Sequence, residues 1–327
     1  MSSSEVKDFS LKDLSFFPPR DKESYAFYNK QESQKWIAKE LDYNKDIGDW
    51  KRASENEKRI IEDILAFFQA ADGAVNENIT SRFLVEAETP QEKGFYGLQI
   101  YVETVHAETY GMLSKAFLEG DGRSINELID KCNSSQYIKA KFNFMAKYML
   151  AEEHKAIRFL AFACAEGIFF ASLFATIFYF KSAGRFVNLV EANRLIQIDE
   201  SLHRDFGIHM FFRYKEDIEA ERVFDVIREA VAIEREFIKE LLREPLGDLD
   251  VINMNGYVNQ VANHLVVSLG YPKLFSNESH NLTWMDIGTI SKVNFYERKV
   301  GNYSLYNSEV EDYDPLKLTG TSEDLNF

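Results

Sequence analysis

Apolar residues recur along most of the chain three and four apart, the spacing of helices, and the alternating pattern of half-buried strands is absent. Ser54 followed by Glu57 is a capping-box pair. It opens a stripe of Ile60, Ile61, Ile64, Leu65, Phe67 and Phe68 that runs toward Ala71, Asp72 and Gly73 and carries Asp72 on or near its buried side. Thr89-Pro90-Gln91-Glu92 is a second start, with proline at the first helical position and glutamate at the third, and its helix continues to about Gly120. Further helices are expected around 125–131, 137–152, 187–213, 216–243 and 251–268. Residues 1–30, polar and aromatic by turns, are expected to form an irregular arm on a helical domain spanning 31–300, followed by a flexible acid-rich tail, 301–327. The class is all-α.

One run departs from the amphipathic pattern. Phe159 to Phe180 carries a single charge, Glu166, and is long enough to cross a bilayer. An acid at mid-bilayer costs about 2.5–3.5 kcal/mol or more, and no second span exists to pair with it. The run is therefore expected to be a central helix buried on every side, closed by Ala183-Gly184. A buried glutamate inside such a helix calls for a cation.

Composition narrows the functional classes. With 45% hydrophobic residues and 27 phenylalanines the chain can build a thick aromatic core, and no Pro/Gly/Ser-rich linker divides it. Its formal charge of −15 disfavours nucleic acid or an anionic membrane as a partner. Cys132 and Cys164 make neither a Cys-x-x-Cys motif nor a disulfide framework, which suits a reducing compartment. The first residues lack the apolar core of a secretory signal, so a cytoplasmic location is expected.

The chemistry is carried by Glu103-Thr104-Val105-His106 and by a second copy of that spacing, Glu200-Ser201-Leu202-His203. Residues three apart on a helix lie roughly 5–6 Å apart on one face, so each pair can grip one metal ion from one side. The other four of the six histidines lack a glutamate three positions earlier, so the pattern is not forced by composition. Asp72 and Glu166 supply one further acid from each of two other helices. One carboxylate from each of two helices plus Glu-x-x-His from each of two more is the known ligand pattern of di-iron and di-manganese carboxylate bundles. Two divalent cations cancel four carboxylate charges that would otherwise be prohibitive in a dry core, and oxygen-rich ligation with one imidazole per ion suits iron or manganese. Tyr110, four residues after His106, shares the face of the first pair, and Phe170, Phe174 and Ile196 are placed to wall it from water. A shielded tyrosine beside an oxygen-activating metal pair is a candidate for one-electron oxidation.

In these stretches, LAFFQAADGAVNEN around Asp72, FYGLQIYVETVHAETY around Glu103, AFACAEGIFFASLFATIF around Glu166 and IDESLHRDF around Glu200, the chain resembles the small, radical-generating subunit of class I ribonucleotide reductase, most closely its eukaryotic and viral members. The likeness runs from about Trp36 to Val300 and resumes at Phe327. It implies a ferritin-like bundle that forms a homodimer. Asp72, Glu103 and His106 would serve one iron and Glu166, Glu200 and His203 the other, with oxygen as activator and Tyr110 as the radical carrier. It further implies a transfer route through His106, Asp199 and Trp36 to Tyr303 in the tail, and docking of the tail, ending in Phe327, on a large catalytic subunit that reduces ribonucleotides. Asp199 directly precedes Glu200 and suits the outer nitrogen of a metal-bound histidine. Trp50 is assigned to packing. The family's substrate chemistry uses three cysteines and this chain has two, so reduction itself would occur on the partner. A di-metal oxidase of the same fold acting on a lipid or hydrocarbon is the alternative; it would have no use for Trp36, Tyr303 or a terminal phenylalanine.

Overall fold

The structure is a computed structural model that describes residues 14–119, 121–150, 152–276 and 280–282. The tail residues Tyr303 and Phe327 lie outside the described residues, as do the first part of the expected arm and all of 301–327. The described residues belong to one compact unit ending at Leu282. Among them no strand forms, only an isolated bridge between Leu246 and Leu249.

Local signals place the helices. α1 (Lys22–Ser33) starts at Asp21, whose side chain accepts from the Ser24 N–H at 2.9 Å. It lies where an irregular arm is expected: Phe27 and Gln31 face inward and fix the segment as a helix despite its polar average. The short α2 (Ile47–Arg52) buries Trp50. Ser54 then opens α3 (Glu55–Asn78) with a complete capping box: Glu57 N–H donates to Ser54 Oγ at 3.2 Å and Ser54 N–H to Glu57 Oε2 at 2.8 Å. At α4 (Pro90–Glu119) Thr89 caps as expected, its Oγ1 accepting from the Glu92 N–H at 3.2 Å, while Glu92 Oε2 reaches back to accept from the Glu88 N–H at 2.9 Å. α5 (Ile125–Ser134) and α6 (Gln136–Met145) follow, the latter prolonged by a π-type turn, Ala146–Leu150.

The apolar run does not form the single helix expected for it. α7 (Lys155–Cys164) gives way to a π-type turn, Ala165–Phe169, and a regular helix resumes only as α8 (Ala171–Ser182). Inserting a residue into the helical ladder re-aims the side chains of that turn, and the turn is the one that carries Glu166. The helix is long and apolar enough for a bilayer, yet its apolar window is wholly buried. Gly184, at φ 65°, closes α8 in the left-handed region where a Cβ is disfavoured, with Arg185 N–H returning to Phe180 C=O.

α9 (Val187–Tyr214), α10 (Ala220–Leu241) and α11 (Val251–Ser268) follow. α7 packs along α9, and α3 along α4. Close approach of the first pair depends on Gly207, where a Cβ would lie 3.1 Å from Phe162 Cδ1 and 3.4 Å from Phe159 C=O. These four helices, with the π turn, surround a core of phenylalanines in which Phe67, Phe68 and Phe170 are almost wholly buried.

Candidate metal centre

Each of the four helices aims acids inward. Asp72 from α3, Glu103 and His106 from α4, Glu166 from the π turn, and Glu200 and His203 from α9 are all at most 4% exposed. Two sets of these groups offer atoms within 4.8 Å of one another: Asp72, Glu103 and His106; and Glu103, Glu166, Glu200 and His203. Glu103 belongs to both, so it sits between the two positions, where the resemblance assigns it to one. Glu200 spans them likewise, with Oε1 3.0 Å from His106 Nδ1 and Oε2 3.0 Å from His203 Nδ1. Glu103 repeats the arrangement, at 3.3 Å from His106 Nδ1 and 2.9 Å from His203 Nδ1.

Both imidazoles thus turn Nδ1 to the carboxylates and Nε2 outward. His106 Nε2 lies 3.1 Å from Asp199 Oδ2, and Trp36 Nε1–H donates to the same oxygen at 2.8 Å. His203 Nε2 lies 2.8 Å from Gln31 Nε2. An outer partner for each imidazole fixes which ring nitrogen faces a ligand. Gln99, one turn before Glu103, donates to Glu103 Oε1 at 3.1 Å.

The charge states follow from this packing. Burial and then the charge of Glu103 hold Asp72 well above the usual carboxylate range. Burial and then the charge of Glu200 do the same to Glu166. Burial also works against ionisation of Glu103 and Glu200, but their histidine partners outweigh it and both lie below the usual range. The histidines gain in return. Burial alone would lower them, yet the surrounding acids raise His106 well above its ordinary value and His203 to about 10. The directions are thus opposed within the cluster: Asp72 and Glu166 are pushed toward their protonated forms, Glu103 and Glu200 toward carboxylates, and the two histidines toward imidazolium.

This donor set fits a pair of divalent cations. Both oxygens of Asp72 and both of Glu166 find no hydrogen-bond donor, and Glu200 Oε1 and His106 Nδ1 face each other without hydrogen-bond alignment. Buried oxygens are rarely left this way. With two dications in place, four ionised carboxylates and two neutral imidazoles sum to zero.

Tyr110 is fully buried and stacked on Phe68, centroids 4.7 Å apart and planes 3° from parallel. Phe170 and Phe174 pack on Phe68 at 5.2 and 5.3 Å, one ring away from Tyr110, and Ile196 is fully buried. Burial, followed by the charge of Asp72, raises the phenol well above its ordinary range. Its hydroxyl donates to Asn193 Oδ1 at 3.1 Å, and Asn193 is itself held by Nδ2–H to Leu189 C=O at 2.8 Å. Asn193, Gln31 and Gln99 are absent from the sequence reading. Asn193 is seven residues before Glu200 and Gln99 four before Glu103, so both share a ligand's stripe; Gln31 has no such signal. Trp50 packs, as assigned, on Phe117 at 4.9 Å. Arg158, a conceivable partner for Glu166, binds Glu86 instead, at 2.8 and 2.5 Å.

Known proteins resemble this chain in sequence and fold. A family model described as ribonucleotide reductase, small chain, matches residues 13–281. The ribonucleoside-diphosphate reductase small subunit of Dictyostelium discoideum is 36% identical over 290 residues, covering 88% of this chain and 85% of the relative. The small chain of variola virus is 35% identical over 288 residues, 88% and 90% of the two chains. Among solved structures, the ribonucleotide reductase Rnr4 homodimer of Saccharomyces cerevisiae superposes with a TM-score of 0.77 at 28% identity, covering 89% of each chain. The dimanganese(II) NrdF of Streptococcus sanguinis shares the fold, with a TM-score of 0.74 at 19% identity over 83% of this chain and 97% of that one.

Proposed function

Because the chain belongs to the small-chain family of ribonucleotide reductases, we propose that it holds two iron ions through Asp72, Glu103, His106, Glu166, Glu200 and His203 and keeps a one-electron oxidising equivalent on Tyr110. When bound, the metal pair supplies the oxygen-dependent oxidation that takes one electron and one proton from the phenol. The chain's own residues do the rest. Phe68, Phe170 and Phe174 exclude water and small reductants from the ring. Asn193 holds the hydroxyl in one orientation.

Asp199 links the cluster to Trp36. One of its oxygens meets both His106 Nε2 and the Trp36 indole N–H, and Trp36 lies over the His106 ring at 5.9 Å. This is a continuous bonded path from a ligand to a tryptophan that is 7% exposed, and it supports the role of Asp199 and Trp36 in carrying the hole outward. In this reading the chain acts as a homodimer in the cytoplasm, and the route continues through Tyr303 to a large catalytic subunit that docks the tail ending in Phe327. A lipid oxidase of the same fold has no use for such a path, and the family match sets it aside.

The observation that carries the reading is a fully buried phenol within the field of Asp72, beside six converging ligands. Electron paramagnetic resonance on the iron-loaded, aerated protein tests it. A tyrosyl signal is expected, and Tyr110→Phe should retain the metal and lose the signal. A normal tyrosyl spectrum in that variant refutes the assignment.

A further inference from the structure

A second buried ionic cluster lies apart from the ligands. Lys141 of α6 and Glu234 of α10 are both fully buried and pair at 2.7 Å. Three rings box the ammonium in, with Phe237 at 3.7 Å, Phe67 at 4.5 Å and Phe169 at 5.4 Å from Nζ to centroid. Burial lowers Lys141 and raises Glu234, and each partner opposes the shift of the other. As a source of stability such a pair is poor, since well-packed apolar residues of similar volume commonly do as well.

What apolar residues cannot do is hold a backbone carbonyl. Lys141 Nζ donates at 2.9 Å to Phe169 C=O, the last residue of the π turn that carries Glu166. On the other side of the break, Ser172 Oγ donates to Glu234. The irregular residue between them, Phe170, at φ −92° and ψ −17°, is therefore held from both flanks by one ion pair. Glu166 needs that hold. Glu103 and Glu200 are each tied to both histidines, whereas Glu166 touches no histidine and its one side-chain partner is the Glu200 carboxyl. Its placement therefore leans on its backbone.

We propose that Lys141, Glu234 and Ser172 form a clamp that positions Glu166, and hence the second metal position, by fixing the break between α7 and α8. These three are positioning residues: none of their hydrogen bonds, ion pairs or ring contacts is to a metal ligand or Tyr110. Phe67 joins the clamp to the radical pocket, since it packs against both Lys141 and Phe68. The inference rests on the reading of Glu166 as a ligand.

Manganese(II) binding to the full-length chain tests it, measured by the free-ion resonance signal together with amide hydrogen exchange and thermal unfolding. The double variant Lys141→Met with Glu234→Gln removes both charges, so no lone buried ion remains. Its melting temperature should stay near that of the parent, while the ion on the Glu166 side binds roughly tenfold more weakly, the loss typical of removing an outer partner of a ligand. The ion on the Asp72 side should keep its affinity, and exchange at 170–172 should accelerate. Ser172→Ala, which leaves the ion pair intact, should weaken the same ion in the same direction and decides the matter if the double variant does not fold. Unchanged binding of both ions in either folded variant, or equal weakening of both in step with a general loss of stability, overturns the clamp. Glu166→Ala separates the two ideas: two ions still bound in that variant refute Glu166 as a ligand, whereas loss of one ion there with none in the clamp variants refutes the clamp alone.

Discussion

Metal uptake by this cluster should release protons from the groups whose protonated forms the packing favours. Without metal, Asp72 and Glu166 are raised well above the carboxylate range, His203 is raised to about 10 and His106 well above its ordinary value. Two cations demand four ionised carboxylates and two neutral imidazoles, so one proton must leave each of these four groups. Glu103 and Glu200, already ionised, contribute none. Release should therefore approach about four protons per pair of ions, and the logarithm of the overall binding constant should climb by about four per pH unit where all four are held. The assay is manganese(II) addition to metal-free protein in weak buffer near pH 6.5, with released acid titrated back by pH-stat. Release of about one proton or fewer, or an affinity indifferent to pH, would refute the charge assignment and with it the account of how four acids tolerate one dry core.

Other outcomes follow from the same geometry. Metal-free protein should lose stability as pH rises: the raised pKa of His203 contributes stability that is full below its ordinary 6.5 and gone by about 10, and the raised Asp72 and Glu166 act in the same sense from their ordinary 3.8 and 4.5 upward. The lowered Glu103 and Glu200 act oppositely: their contribution is full above their ordinary 4.5 and is lost below it, as pH falls through their lowered folded values. Unfolding temperatures with chelator should thus decline between pH 6.5 and 10, and manganese should flatten that decline; parallel curves would contradict it. Gly207→Ala should destabilise by about 1–3 kcal/mol through the crowded crossing of α7 and α9, read as a lowered melting temperature with the metal sites still loadable. Trp36→Phe removes the indole donor to Asp199, and it should keep metal and radical yet abolish ribonucleotide reduction in the presence of a large subunit. Retained turnover would remove Trp36 from the route.

Much of the site was legible because helical periodicity converts spacing into direction. Glu103, His106 and Tyr110 share a stripe, as do Glu200 and His203, and hydropathy alone makes Asp72 and Glu166 anomalous. What stayed hidden depends on contacts between distant segments. Gln31 reaches His203 from 172 positions away, and no local pattern announces it. α1 was obscured because its inward face is assembled from Phe27 and Gln31 rather than from a run of aliphatics. The π turn at Ala165–Phe169 was invisible for another reason: an unbroken apolar stretch reads as one regular helix, and only the demand to aim Glu166 at three other helices makes an irregular turn worthwhile there.

The interleaving of two imidazoles with two carboxylates also bears on how the protein is made. Many small metal-dependent folds are unfolded chains until their ion arrives. Here Glu103 and Glu200 each reach both His106 and His203, so the side chains balance part of one another's charge across the four-helix junction.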